Sequence, residues 1–322
     1  MNNNPLDFGV KNLPNYLELI DKKLKSLAPT DIPGVGRLLQ AHGKRLRPSL
    51  VIAIAAHSNK KVDETVINAA TAVELVHIAS LVHDDIIDSG TLRWGIPTIN
   101  STEGNDIALL GGDYLLASGC ALAASVSAEA AAVIAETIAE LCIGQARELK
   151  DHFNTERSIE PLNLTIKGKT SSMFIAACKL GGLVSGLSSV QKNALSSFAE
   201  NFGIAFQYLD DIKDFTEHSK VSDKSASSDV QEGNYTLPII LSLQGPNKTA
   251  LKKLLKTPKV STEEVLKILE EDESLKKTLI EAGNYREKAL SSLSGLSIPE
   301  LRDSLQVFID SVYLPEDEAN QN

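Results

Sequence analysis

The chain of 322 residues is 43% apolar and 23% charged, enough to close a sizeable core and too apolar for a disordered chain. Its formal net charge of −10 excludes a protein that holds nucleic acid by non-specific attraction. An anionic small substrate stays admissible, because a metal or a local basic patch reverses the field inside a pocket.

In chain order, the start, MNNNPLDFGVKNLP, carries no apolar stretch of signal length. No run of about 18 uncharged apolar residues marks a spanning helix, so no transmembrane segment is expected. Pro33-Gly34 and Gly43 break the chain ahead of a helix expected to begin near Pro48, a favoured first-turn residue. Long Ala/Leu/Ile/Val-rich runs then occupy 66–88, 105–126, 128–150, 164–184 and 190–216, with few Gly or Pro and no β-type alternation. Several are apolar on more than one face, as helices in the middle of a bundle are. They predict an all-α protein, a single large helical bundle whose core spans about 13–244. Smaller, more charged helices are expected over 245–314, and a disordered tail, PEDEANQN, over 315–322. The polar stretch TEHSKVSDKSASSDVQEGN (216–234) reads as a long loop of the kind that serves as a lid. Cys120, Cys142 and Cys178 lie in helix-like runs with no C-x-x-C pair, and read as buried reduced thiols of a cytoplasmic protein.

Two segments carry the chemistry. LVHDDIID ends an apolar run with Asp84, Asp85 and Asp88, and FQYLDDIKD repeats the D-D-x-x-D pattern with Asp210, Asp211 and Asp214. On a helix, positions i and i+4 share a face, so Asp84 and Asp88 project together with Asp85 to the side; Asp210 and Asp214 do likewise beside Asp211. One such motif is an ordinary acidic helix end. Two copies, each closing an apolar helix, imply carboxylates gathered around one cavity, where each suppresses ionisation of the next unless a cation joins them. Mg²⁺ takes one or two carboxylates and bridges to substrate phosphate, so the reading is a Mg²⁺–diphosphate site. The basic counterpart is GKRLRP, where Lys44 and Arg47 stand three apart at a helix start that already favours anions. KGKTSSMF sets the cation of Lys169 beside the hydroxyl of Thr170; Gln207 precedes Asp210 by one turn, and His77 precedes Asp84 by two.

The ordered set GKRLRP, VHDDIID, LRWGIPT, LLGGDYLLA, GKT, FQYLDDIKD and EGNYTLP resembles the trans-isoprenyl diphosphate synthase (polyprenyl synthetase) family, and its order and spacing resemble bacterial long-chain members. The resemblance covers roughly 40–240. It implies the isoprenoid synthase fold, a helical bundle around a central cavity, and a prenyltransferase that joins isopentenyl diphosphate to an allylic diphosphate. By position, it implies that Asp84, Asp85, Asp88, Asp210, Asp211 and Asp214 hold three Mg²⁺ on the allylic diphosphate. Arg93, Lys169 and Lys224 clamp the same group, Thr170 and Gln207 place oxygens near the developing cation, and Lys44, Arg47 and His77 hold isopentenyl diphosphate. The lid would carry Lys224.

Two positions depart from the family pattern. Trp94 stands where a second arginine is usual, and Asn234 where the motif E-G-K has its lysine. A tryptophan cannot pair with phosphate as a guanidinium does, so a weakened isopentenyl diphosphate site is expected. The growing tail is expected to run past the positions four, five and eight before Asp84, which are Ser80, Ala79 and Val76, and past Gly119, Cys120 and Ala123. These small side chains predict a product of C20 or longer. A homodimer through the central helices, and peripheral membrane contact at product release, follow from the same resemblance. Two other readings stand beside it: a subunit of a heteromeric prenyl synthase, kept alive by Trp94 and Asn234, and a class I terpene cyclase, disfavoured because its second metal motif mixes Asn/Asp, Ser/Thr and Glu.

Overall fold

Apolar periodicity and capping chemistry between them lay out the helices. The computed structural model describes residues 8–41, 43–218, 228–257 and 260–313. Helix α1 is Leu13–Ser26, α2 Val35–Leu39, α3 Leu46–His57 and α4 Glu64–Ile87. Two-residue strands β1 (Leu92–Arg93) and β2 (Ile96–Pro97) form an antiparallel hairpin, pairing Leu92 with Pro97 and Arg93 with Ile96. Then come α5 (Ile99–Glu103), α6 (Asn105–Val126), α7 (Ala128–Lys150) and α8 (Ile159–Ile166). A π-helical turn, Lys167–Ser171, leads into α9 (Ser172–Val184). The chain continues through α10 (Ser189–His218), α11 (Ser228–Glu232), α12 (Leu237–Ser242), α13 (Lys248–Leu254), α14 (Thr262–Glu271), α15 (Ser274–Ser292) and α16 (Pro299–Tyr313).

The long runs read from the sequence are α4, α6, α7, α8–α9 and α10, and the all-α class holds. The expected helix at Pro48 starts two residues earlier, at Leu46, after Arg45 in a left-handed conformation (φ 49°). Side-chain caps set other starts: Asp63 accepts from the Val66 amide at the head of α4, and Ser261 from Glu264 at the head of α14. The polar segment 216–234 is partly helical, its ends belonging to α10 and α11. The tail 315–322 and Lys224 lie outside the described residues. The three thiols were expected to be buried; Cys178 is, Cys120 is half-buried and Cys142 is exposed, on an outward apolar face of α7.

Two compact units are formed, Met1–Ala139 with Met173–Ser197 and Ser292–Asn322, and Glu140–Ser172 with Phe198–Ser291. In the first, α4 is buried on nearly every face, from Val66 through Val82. It packs closely on α6: a Cβ on Gly119 would stand 3.0 Å from Val76 Cγ2 and 3.2 Å from the Ala72 carbonyl. Phe8 stacks on Phe308 with centroids 4.7 Å apart, and Ser304 Oγ donates to the Phe8 carbonyl at 2.7 Å, tying α16 to the start of the chain. The second unit has its own apolar cluster, including Phe215, Tyr235, Ile239, Leu251, Val265 and Leu269. By length and composition alone α4 and α6 reach the range of a membrane-crossing helix, a range that the core helix of a bundle also reaches, so neither is a clear transmembrane span. In α4 that apolarity serves burial inside its unit; α6 is apolar and largely outward-facing.

Candidate functional site: two clusters of acid and base

In the first unit the acidic motif occupies the C-terminal turn of α4. Asp84 is half-buried and Asp88 exposed, and Asp88 is the last turn's cap, its amide donating to the Asp84 carbonyl at 2.8 Å. Asp85 turns inward and is buried. Its Oδ1 accepts from Arg93 Nε at 3.1 Å and Nη2 at 2.5 Å. Burial pushes the Asp85 carboxyl above its usual range, and Arg93 opposes that rise. The hairpin sets Arg93 in place. Trp94 (φ 51°) and Gly95 (φ 77°) are its two turn residues, both with positive φ, the pattern of a type I′ turn. Gly90, Thr98 and Asn100 pin the hairpin to α4: Asn100 Nδ2 donates to the Asp85 carbonyl at 2.9 Å and the Gly90 carbonyl at 3.0 Å, and Thr98 Oγ1 to Gly90 at 2.8 Å. Trp94 is 40% exposed, and its ring lies 3.6 Å from where a Cβ on Gly43 would sit, so the turn carrying it abuts the start of GKRLRP.

The three cations of that motif divide their work. Lys44 is exposed. Arg45 is buried and fully engaged, with Asp21 at 3.0 Å, Glu74 at 2.8 Å and the Ala41 carbonyl at 3.1 Å. Arg47, in the first turn of α3, lies 3.2 Å from His77 Nε2 and stacks over Phe174, 4.7 Å from the ring centroid. Its Nε is buried with no hydrogen-bond partner. Burial brings its guanidinium down to about 10 while Glu74 supports it, so it stays cationic at neutral pH. Burial, reinforced by Arg47, Arg45 and Arg93, drives His77 well below the usual imidazole range. His77 is therefore neutral and accepts from Arg47, orienting a cation instead of adding one. The positions that the sequence suggests for the growing tail lie on α4 and α6: Val76, Ala79 and Ala123 are fully buried, and Cys120 and Ser80 half-buried.

In the second unit the π turn Lys167–Ser171 presents Lys169 and Thr170. Such a wide turn is often found where side chains are aimed at a site. At this turn Gly168 meets Gly144 of α7 backbone to backbone: a Cβ on Gly168 would lie 2.7 Å from the Gly144 Cα. Lys169 Nζ is paired with Glu148, in the last turn of α7. Thr170 Oγ1 donates to Gln207 Oε1 at 2.7 Å, and Gln207 Nε2 donates to Asp211 Oδ1 at 3.0 Å. Asp210 is exposed and Asp214 half-buried; Asp211 is buried, and its Oδ2 has no hydrogen-bond partner. Burial, opposed by Gln207 and reinforced by Asp229, Asp210 and Asp214, raises the Asp211 carboxyl well above its usual range. Asp229 is likewise pushed up to about 7 by burial and by Asp214, Glu148 and Glu232.

A buried carboxyl with an unsatisfied oxygen, whose ionisation three neighbouring carboxylates oppose, fits a hard divalent cation. Among the described residues no three acidic, histidine or cysteine side chains close into a cage of their own. Mg²⁺ does not require one, because it retains waters and borrows phosphate oxygens. The structure therefore brings together Arg93 with Asp85, Arg47 with His77, and Lys169, Thr170, Gln207 and Asp211 around one turn. Sequence reading missed Arg45, Glu74, Glu148 and Asp229. Only Glu74, a lone charge inside the apolar run TAVELVHIA, left a local signal.

Comparison with known proteins points to one family. The polyprenyl synthetase family profile matches residues 35–271. Heptaprenyl diphosphate synthase component 2 of Bacillus subtilis is 32% identical over 303 residues, covering 91% of this chain and 86% of that protein. Nonaprenyl diphosphate synthase of Mycobacterium tuberculosis is 34% identical over 244 residues, covering 75% and 72%. Among solved structures, geranylgeranyl pyrophosphate synthase of Corynebacterium glutamicum, complexed with calcium and isoprenyl diphosphate, superposes with a TM-score of 0.81 at 28% identity, covering 94% of this chain and 95% of that one.

Proposed function

The chain belongs to the polyprenyl synthetase family and is a trans-prenyltransferase, and on that premise we propose how its residues divide the work on isopentenyl diphosphate and an allylic diphosphate to give a polyprenyl diphosphate of C20 or longer. The observation that carries this is the buried Asp211, its Oδ2 unsatisfied among Asp210, Asp214 and Asp229, a setting that a divalent cation would relieve while leaving the carboxylate ionised. By family resemblance, Asp84, Asp85 and Asp88, with Asp210, Asp211 and Asp214, would hold Mg²⁺, about three per active site. When bound, Mg²⁺ supplies the positive charge that a departing diphosphate requires.

The chain's own residues do the rest. Arg93 and Lys169 exchange their carboxylate partners, Asp85 and Glu148, for diphosphate oxygens, and Lys224 is assigned to the same group by resemblance. Thr170 Oγ1 and Gln207 Oε1 offer oxygens to the allylic carbon as positive charge grows on it. Lys44 and Arg47 bind isopentenyl diphosphate, and neutral His77 holds Arg47 in line. The double bond of isopentenyl diphosphate attacks C1, and the released diphosphate removes the proton. Water must stay out, because it would trap the cation as an alcohol.

Outward apolar residues on α7, Ala132, Ala135, Ala139, Cys142, Ile143, Ala146 and Leu149, recur at three- and four-residue spacing and support a homodimer. A cytoplasmic enzyme touching the membrane only to release product completes the reading. The second reading rests on relatives named component 2 of heptaprenyl diphosphate synthase, in Bacillus subtilis and Geobacillus stearothermophilus, and is a subunit weak or inactive alone. Purified chain with labelled isopentenyl diphosphate, several allylic primers and Mg²⁺ separates the two. Prenyl products from the isolated chain support the first, and their absence until a second subunit is added supports the other.

A further inference from the structure

Two adjacent glycines stand in α6, and the structure shows a use for the second. A Cβ on Gly112 would lie 2.1 Å from His83 Nε2, 2.5 Å from its Cδ2 and 2.9 Å from its Cε1, so the imidazole occupies the space that any larger residue would fill. His83 belongs to α4 and directly precedes Asp84. Its Nε2 lies 3.5 Å from Asp113 Oδ1 and 3.5 Å from the Leu109 carbonyl, both on α6. This stretch of α6 is itself held in place. A Cβ on Gly111 would meet Val35 Cγ2 at 3.0 Å, and Tyr114 Oη donates to the Leu27 carbonyl at 2.9 Å.

A helix turns through roughly 100° per residue, so His83 and Asp85 stand about 200° apart on the last turn of α4. They meet different neighbours. His83 lies on α6, whereas Asp85 is held by Arg93 and, through its carbonyl, by Asn100. Asp84 and Asp88 are about 100° and 140° from His83, on the sector between the two holds. One hold would leave the turn free to roll about its axis; two holds on nearly opposite sides fix it.

We propose that His83, seated on Gly112, is a positioning residue for the first acidic cluster. Together with the Arg93–Asp85 contact it sets the roll of the last turn of α4, and so the direction in which Asp84 and Asp88 present their carboxylates. Glycine is required at 112 because the imidazole takes the volume of the missing side chain. The inference rests on the metal–diphosphate reading above and adds to it a residue that acts through its neighbours in the chain.

The test joins amide hydrogen exchange along α4, without ligand, to calorimetric binding of inorganic diphosphate at rising Mg²⁺. In Gly112→Ala the ring must move by about 1.4 Å to regain ordinary contact near 3.5 Å. Gly112→Ala and His83→Ala should each speed exchange about tenfold at Asp88 and Gly90, whose amides close the turn on the Asp84 and Asp85 carbonyls, and leave the middle of α4 unchanged. Each should also raise the Mg²⁺ needed for half-maximal diphosphate binding by about tenfold. In the His83→Ala background, Gly112→Ala should add less than about twofold to either, because the ring it displaces is gone. Losses of the same size in both backgrounds overturn the proposal. So does a folded His83→Ala protein that protects Asp88 and Gly90 and binds diphosphate as the native chain does. Exchange that quickens equally along all of α4 marks a general loss of stability and overturns the positioning role. Should Gly112→Ala fail to fold, His83→Ala decides by the same two readouts. A native protein that takes up no diphosphate at any Mg²⁺ concentration would overturn the metal reading, and the exchange pattern then decides the hold on α4 by itself.

Discussion

Replacing Gly168 with alanine tests how the second acidic cluster is built. The new Cβ would stand 2.7 Å from the Gly144 Cα, 2.9 Å from the Glu140 carbonyl and 3.0 Å from the Gly144 amide nitrogen. All three are backbone atoms, so no side chain can swing aside. Restoring ordinary carbon–carbon contact near 3.5 Å requires the π turn and α7 to part by about 0.8 Å. Overpacking of this kind costs about 1–3 kcal/mol, and the helical gain of alanine over glycine returns up to about 1 kcal/mol. The net loss lies between about 0 and 3 kcal/mol, and its middle, about 1–2 kcal/mol, would lower the unfolding midpoint of this chain by roughly 1.5–3 °C. The catalytic loss is larger, because Lys169 and Thr170 move with the turn, away from Glu148 and Gln207, and a displacement near 1 Å can cost on the order of a hundredfold in rate. Calorimetry and steady-state turnover on an allylic primer give both readouts, with Gly283→Ala, where a Cβ meets nothing within 4 Å, as the control. A Gly168→Ala protein with native turnover and an unchanged or raised midpoint would refute the reasoning.

The His77 imidazole is held below its usual range in the folded chain and titrates near 6.5 when unfolded. The unfolded state therefore binds the extra proton first. Stability should be unaffected by this group above about pH 6.5 and fall below it, by at most about 1.4 kcal/mol per pH unit. Midpoints of native and His77→Gln proteins between pH 7.5 and 5.5 check this, and parallel decline of the two removes His77 as the cause. Trp94→Arg should lower the Michaelis constant for isopentenyl diphosphate, since it returns a guanidinium beside Gly43 and Arg45; an unchanged constant ends the idea that Trp94 weakens that site. Ala79, fully buried on α4, should shorten the product when changed to Phe, at a stability cost of about 1–3 kcal/mol. An unchanged product distribution would take the tail away from this helix face.

Helix positions were legible because each long helix writes its apolar period into contiguous residues. The acidic motifs were legible for the same reason: Asp84 and Asp88, or Asp210 and Asp214, are one turn apart wherever the helix goes. Trp94 was unexplained in the sequence and is half explained by the fold, as a residue of the hairpin turn that aims Arg93 at Asp85. Cys142 was misread because an apolar run was equated with burial, whereas α7 carries apolar side chains outward as well. The π turn at Lys167–Ser171 had no local signature, because the approach of Gly168 to Gly144 exists only in the fold.

By itself, then, the sequence determined the helical class, the family and the kinds of groups that meet a diphosphate, all properties of short contiguous stretches. Only the tertiary structure decided which aspartate of each motif turns inward, that His77 is neutral, and that His83 of α4 lies against Gly112 of α6. The reason is physical: charge state and partnership follow from burial and from neighbours supplied by other helices, and no local periodicity encodes either.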